Sequence, residues 1–270
     1  MKRIIYPFYF SVFLFVIVSC TYSNFVEKQK RNPRVREAIK QKDLYLKKLF
    51  SQKRILYPPQ KIYIRIFKLE AILELWVFSP PDEKFKLVKT YKICSTSGLP
   101  GPKRREGDRQ IPEGIYYIDR FNPRSNYYLS LGLNYPNWSD RIRGNKKNPG
   151  GDIFIHGACV TIGCIPITND KIKELYWIAV QARGEGQKAI PVHIFPCRMM
   201  GVSMVFLKML SYNPFFWSQY KLLIKNAHPR SPEELISFWY ELKNIYDYFE
   251  KYRRIPPIII TPKGKYIIRQ

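Results

Sequence analysis

Neither a CxxC nor an HExxH spacing occurs anywhere in the 270 residues, which removes the commonest frames for structural and hydrolytic zinc. Acidic residues are scarce as well. Asp and Glu total 21 against 46 Lys and Arg, a formal net charge of +25, so anionic surfaces are favoured neighbours. There is no internal repeat and no long low-complexity tract, and the roughly 250 residues beyond the N-terminal segment suit one domain with appendages. Histidine is limited to His156, His193 and His228. His193 lies in a strand-like run and His228 precedes a proline, so only His156 has a positioned reactive neighbour.

What is present begins with an export-type leader. Lys2 and Arg3 precede an apolar run from Ile4 to Val18, and Ile17-Val18-Ser19-Cys20 reads as a lipobox, with a small residue before the cysteine. The run is shorter than the roughly 20 apolar residues that a spanning helix prefers. A lipoprotein signal over residues 1–19, cleaved before a lipidated Cys20, is therefore expected. The mature chain would be exported, held to a membrane by its lipid and facing the periplasm or cell wall. Removing the charges of Lys2 and Arg3 leaves +23. An exported chain does not routinely meet nucleic acid, so lipid head groups and acidic wall polymers are the expected anionic neighbours.

The chemistry is concentrated in Ile153-Phe154-Ile155-His156-Gly157-Ala158-Cys159-Val160-Thr161-Ile162-Gly163-Cys164-Ile165. A histidine and a cysteine stand at the two ends of a short loop leaving an apolar strand. A thiol needs a base or a positive charge to react near neutral pH, and the flanking glycines let backbone amides approach a developing oxyanion. Five cysteines occur in all. With Cys20 and Cys164 set aside, the odd remainder argues against a disulfide framework. Cys94 and Cys197 adjoin strand-like runs and read as buried small apolar groups. Cys159 reads as a packed neutral thiol, with pairing to Cys164 as the alternative.

His156-Gly157 followed by Thr161-Ile162-Gly163-Cys164 resembles the signature of the L,D-transpeptidase (YkuD) family, His-Gly and then Ser or Thr, any residue, Gly and Cys. Ile111-Pro112-Glu113-Gly114-Ile115-Tyr116, Asn122-Pro123-Arg124-Ser125, Tyr135-Pro136-Asn137-Trp138-Ser139-Asp140-Arg141 and Gly150-Gly151-Asp152 resemble further elements, particularly of the YafK-like branch. The resemblance implies a β-rich α+β fold, a YkuD-like β-sandwich catalytic domain, with Cys164 as nucleophile and His156 as general base and acid. It further implies a backbone oxyanion donor at Gly163, with Gly157 and Thr161 as neighbouring motif positions. The implied reaction is acyl transfer on peptidoglycan stem peptides through a thioester, using no cofactor and no metal. Its alternative is hydrolysis that trims stem peptides or releases a wall-attached protein. A non-catalytic wall-binding lipoprotein is the third reading. Ile165-Pro166-Ile167-Thr168 stands where many members carry an arginine, so Arg141 and Arg143 become the candidates for a substrate carboxylate.

Four regions follow from the pattern. After residues 1–19, residues 20–58 form a basic N-terminal tether or helix: eleven Lys or Arg against three Asp or Glu lie between 21 and 58, with Val35, Ile39, Leu46, Leu49 and Phe50 at loosely helical spacing. The catalytic domain covers 59–197. In it, alternation at Ile62, Ile64, Ile66 and then Leu73, Leu75, Val77 predicts a hairpin. More strands are expected at 85–94, 114–119, 127–133, 153–156 and 192–195. Asn169 and Asp170 are expected to cap a helix carrying Ile172, Leu175, Tyr176, Ala179 and Val180. Residues 198–270 read as a helical C-terminal extension, in which Ser231-Pro232-Glu233-Glu234 opens a helix with Leu235, Phe238, Trp239, Leu242, Tyr246 and Phe249 on one face. That face is expected against the catalytic unit, and a hairpin of 258–260 with 266–268 ends the chain.

Overall fold

Period-two alternation builds the first hairpin of the computed structural model, which describes residues 24–225 and 227–269; Cys20 and the leader lie outside the described residues. Strand β1 (Ile62–Phe67) pairs antiparallel with β2 (Ile72–Ser79), Ile64 opposite Leu75, and β3 (Lys84–Lys92) continues the meander. The other side of β1 takes β8 (Ile190–Phe195) in parallel, and β8 pairs antiparallel with β4 (Gly114–Asn122). Beyond β4 come β5 (Ser130–Leu133), β6 (Phe154–His156) and β7 (Ile165–Pro166), giving the order β3-β2-β1-β8-β4-β5-β6-β7. The class is β-rich α+β. Its layers arise from one continuous eight-stranded sheet with helices against it.

Every residue of β1 is buried, because both faces of this part of the sheet are covered. Ile62, Ile64 and Ile66 join one apolar core with α1 (Pro33–Gln52) and α3 (Thr168–Gly184). Phe67 and Phe195 join a second core with α4 (Gly201–Tyr212), α5 (Pro214–Ile224) and α6 (Pro232–Tyr252). Residues 33–52 are therefore part of the folded unit: Val35, Leu46 and Phe50 are fully buried, each contributing roughly 1.5–3 kcal/mol. Asp43 accepts hydrogen bonds from Tyr57 at 2.6 Å and Trp177 at 2.8 Å, tying α1 to α3.

The apolar face of α6 meets the sheet through an unusual intermediary. Arg65 of β1 is buried beneath it, ion-paired to Glu74 and Glu250 and placed over the rings of Trp76 and Phe249. A buried guanidinium needs such pairing to offset its lost hydration. Strands β9 (Ile258–Ile260) and β10 (Tyr266–Ile268) form the terminal antiparallel hairpin.

Candidate active site

Strand register brings the two ends of the reactive loop onto one face. Gly132 of β5 lies opposite both Arg120 of β4 and Phe154 of β6, and Ser130 lies opposite His156. The parallel pair β6–β7 sets Ile155 beside Ile165 and His156 beside Pro166. One residue back along that register, Cys164 stands beside Phe154. Because side chains alternate along a strand, Arg120, Phe154, His156 and Cys164 share one face, while Phe121, Leu131, Ile155 and Ile165 point into the core.

His156 is almost fully buried, and its Nδ1 meets the carbonyl oxygen of Gly157. A carbonyl only accepts, so Nδ1 carries the proton and Nε2 keeps its lone pair. Burial depresses the imidazole pKa, with the Gly157 carbonyl acting in the opposite direction. Tyr127 stacks on the ring, centroids 4.6 Å apart. The half-buried Cys164 thiol sits 3.5 Å from the carbonyl oxygen of Asp152. Burial raises the thiol pKa; a hydrogen bond with the Phe154 backbone and the charge of Lys103 lower it, and the Asp152 carboxylate raises it further. Both groups are therefore neutral near pH 7, a thiol and a free base on one face of the sheet.

Gly157 is required for space. A Cβ there would stand 2.4 Å from Asn169 Oδ1 and 2.7 Å from the Tyr127 carbonyl oxygen. Asn169, expected to cap a helix, instead accepts from the Ala158 amide at 2.8 Å, and at the start of α3 it is Thr168 Oγ1 that accepts from the Lys171 amide at 3.4 Å. Ala158 is left-handed, with φ +58°, and the bond from Asn169 holds it there. Thr161 Oγ1 accepts from the Gly163 amide at 3.0 Å and donates to the Cys164 carbonyl at 2.8 Å. The expected oxyanion donor at Gly163 is thus already engaged. The Cys164 amide donates to no group among the described residues.

Cys94 and Cys159 form a disulfide, contrary to their expected states as a buried apolar group and a packed free thiol. Counting could not reveal this pair, because the two residues adjoin only after folding: the Cys94 amide donates to the Pro166 carbonyl, which docks the residues after β3 along β7. Cys159 is exposed, so its environment is not the packed one expected. Cys164 and Cys197 are free.

The two arginine candidates separate. Arg143 is committed to Glu241 through contacts of 2.7 and 3.0 Å and lies over the Phe238 ring, so it joins α2 (Trp138–Arg143) to α6 and is not available to a substrate carboxylate. Arg141 lines a cavity of about 600 Å³ with Tyr117, Trp138 and Ile258, and neither Cys164 nor His156 lines it. Two other basic residues belong to this region instead, Lys103 through its charge on the Cys164 thiol and Arg120 on the face it shares with Phe154. Lys103 is buried against Asp108 at 2.7 Å. Arg120 lies over the Phe154 ring at 4.9 Å and bonds the exposed Asp152 carboxylate at 2.8 Å. A bulge places Asp119 as an extra residue between the pairs Ile118–Leu133 and Arg120–Gly132, which turns Arg120 onto the reactive face. The only trace of this in the sequence is that polar Asp119 and Arg120 stand together where alternation would require one apolar side chain.

Among the described residues, no group of three or more His, Cys, Asp and Glu is placed to hold a metal. His193 is buried against Tyr63 Oη at 2.7 Å and depressed to about 3 by burial and the Arg65 charge, while His228 meets Glu234. Neither adjoins Cys164 in the strand register.

The YkuD family, L,D-transpeptidase catalytic domain, matches residues 75–194. The chain is 36% identical over 209 residues to "Putative L,D-transpeptidase YafK" of Escherichia coli (strain K12), covering 77% of this chain and 73% of that one. The solved structure of the helical cell shape determining protein Pgp2 from Campylobacter jejuni is 20% identical, with a TM-score of 0.41, over 76% of this chain and 74% of that one. That of Bd1075 from Bdellovibrio bacteriovorus is 19% identical, with a TM-score of 0.37, over 70% and 72%.

Proposed function

The chain belongs to the L,D-transpeptidase catalytic-domain family, and from that premise we propose that it is a cysteine-dependent acyl-transfer enzyme of peptidoglycan stem peptides. The observation that carries this reading is the contact of His156 Nδ1 with the Gly157 carbonyl oxygen, which assigns the tautomer. With Nδ1–H committed to the Gly157 carbonyl, the free Nε2 lone pair shares a face with the Cys164 thiol. In the first step Nε2 takes the thiol proton as Sγ attacks a peptide carbonyl, so thiolate forms only as it is consumed. The Cys164 amide, without a partner among the described residues, is the donor to the oxyanion; a donor of this kind lowers the barrier by about 3 kcal/mol. Collapse breaks the C–N bond, His156 returns its proton to the leaving amine, and a thioester remains. An amine or water then resolves it.

The guanidinium of Arg120, held over Phe154 with Asp152 as an exposed counter-ion, suits a carboxylate of the acyl donor in place of the absent arginine after Cys164. Residues 1–20 support export with lipid attachment at Cys20, which would set this chemistry in the compartment where peptidoglycan lies.

The test incubates the chain from residue 21 onward, and its Cys164→Ala variant, with purified sacculi and defined muropeptides, reading products by mass spectrometry. Cross-links or exchanged terminal residues absent from the variant are the expected result. Products ending in a water-derived carboxyl would make the enzyme a hydrolase. Identical products from both proteins would refute cysteine catalysis on these substrates and favour the wall-binding reading.

A further inference from the structure

Helix α4 carries two apolar faces. Met204 and Leu207 point into the core shared with α5 and α6. Val202, Val205, Phe206 and Met209, spaced i, i+3, i+4 and i+7, form a second stripe that is 51–86% exposed. On α5, Phe215 and Leu222 are 75% and 68% exposed. Exposed apolar side chains clustered in this way along one stretch of chain mark an interaction site.

Charge identifies the partner. From Met199 to Pro232 the chain contains no Asp or Glu, while Lys208, Lys221, Lys225 and Arg230 fall within it. Arg230 lies beside Glu234, but Lys208, Lys221 and Lys225 make no ion pair among the described residues, whereas Lys42, Lys89 and Lys173 are each matched with a carboxylate elsewhere. Unpaired cations beside exposed Phe, Met and Leu are the composition of an element lying in a lipid interface, where the apolar stripe enters the acyl boundary and the cations meet anionic head groups. With 12 and 11 residues, α4 and α5 are too short to cross a bilayer.

We propose that α4 and α5 form a docking surface for an anionic lipid bilayer, lying in its interface with the Val202–Met209 stripe, Phe215 and Leu222 inserted. The inference does not depend on the catalytic reading or on lipidation at Cys20. The full chain is reconstituted on phosphatidylcholine vesicles, with or without a share of phosphatidylglycerol, that contain a diazirine phospholipid; lipid adducts are then mapped by peptide mass spectrometry. Adducts are expected within residues 202–222, richer with phosphatidylglycerol and diminished by salt. Phe206→Ser with Phe215→Ser, both on exposed positions, should reduce those adducts roughly tenfold. Its thermal midpoint should match that of the parent, as should any adducts in residues 1–23. Adducts confined to residues 1–23, or equal on neutral vesicles and unaffected by salt, would overturn the proposal. A patch that stays free of lipid yet is buried by a second protein would overturn it in favour of a protein partner.

Discussion

Cys159 is covalently joined to Cys94, so the loop between His156 and Cys164 is fastened across the edge of β7 to the residues that follow β3. The bridge closes a sequence separation of 65 residues that contains β4, β5, α2 and β6. Cys159→Ser should lower unfolding stability by roughly 2–4 kcal/mol, the usual effect of removing such a link. Chemical denaturation with and without a dithiol reductant checks this: reductant should destabilise the parent by a similar amount and leave the variant unchanged. Equal stability of parent and variant would mean that the bond does not persist in solution.

The pH profile follows from burial. His156 must be neutral to accept a proton, and its pKa is depressed, so activity should fall only below the ordinary imidazole value of about 6.5. The Cys164 pKa is raised, so the proton of the resting pair is retained beyond the ordinary thiol value of about 8.5. A plot of kcat/KM against pH should therefore show a plateau with both limbs displaced outward. Iodoacetamide alkylation of Cys164 should accelerate only on the alkaline side. Rapid alkylation at pH 6 would reveal a preformed thiolate–imidazolium pair and sink this account.

Gly157→Ala introduces a Cβ into occupied space, and the obstructing Asn169 oxygen is held by the Ala158 amide. Overpacking of this kind costs roughly 1–3 kcal/mol. Since the Gly157 carbonyl also orients His156, kcat should drop by about 100-fold, the penalty of misplacing a catalytic group by an ångström. Thermal melts beside steady-state kinetics would show it, and normal turnover would refute the steric assignment.

Arg143 and Arg120 should behave differently. Arg143→Ala strands Glu241, partly buried, and should cost about 1–3 kcal/mol, somewhat below the value for a fully buried pair, with little change in kcat/KM of the folded fraction. Arg120→Ala should leave the melting temperature nearly unchanged, because its side chain is 43% exposed. It should raise KM at least tenfold for donors with a free carboxylate and have less effect on amidated donors. Equal losses on both donors would remove the carboxylate role from Arg120.

Local periodicity made β1 and β2 legible, because alternation is written within a few adjacent residues. The apolar face of α6 was equally plain: Leu235, Phe238, Trp239, Leu242, Tyr246 and Phe249 are all buried. What the periodicity could not state was which element covers which. Arg65 stands between the alternating Ile64 and Ile66, and it lies under α6 with two carboxylates around it. The motif brought His156 and Cys164 to attention, but Lys103 and Arg120 reach their neighbourhood through a turn and a bulge that no short spacing encodes. Cys94 and Cys159 could be paired only once the chain was folded. Asn169 showed the reverse problem, since a good capping residue was drawn away from its own helix by the amide of Ala158.

A lipid at Cys20, together with the burial of the residues that follow, would limit how far this protein can act. The described fold begins at residue 24, with Val26 already buried, so only three residues separate it from Cys20. Were Cys20 the lipid attachment point, that leash would span at most about 14 Å even fully stretched. The catalytic unit would then work on whatever part of the wall comes close to the bilayer, its range set by the membrane's own distance from the polymer and not by a flexible arm.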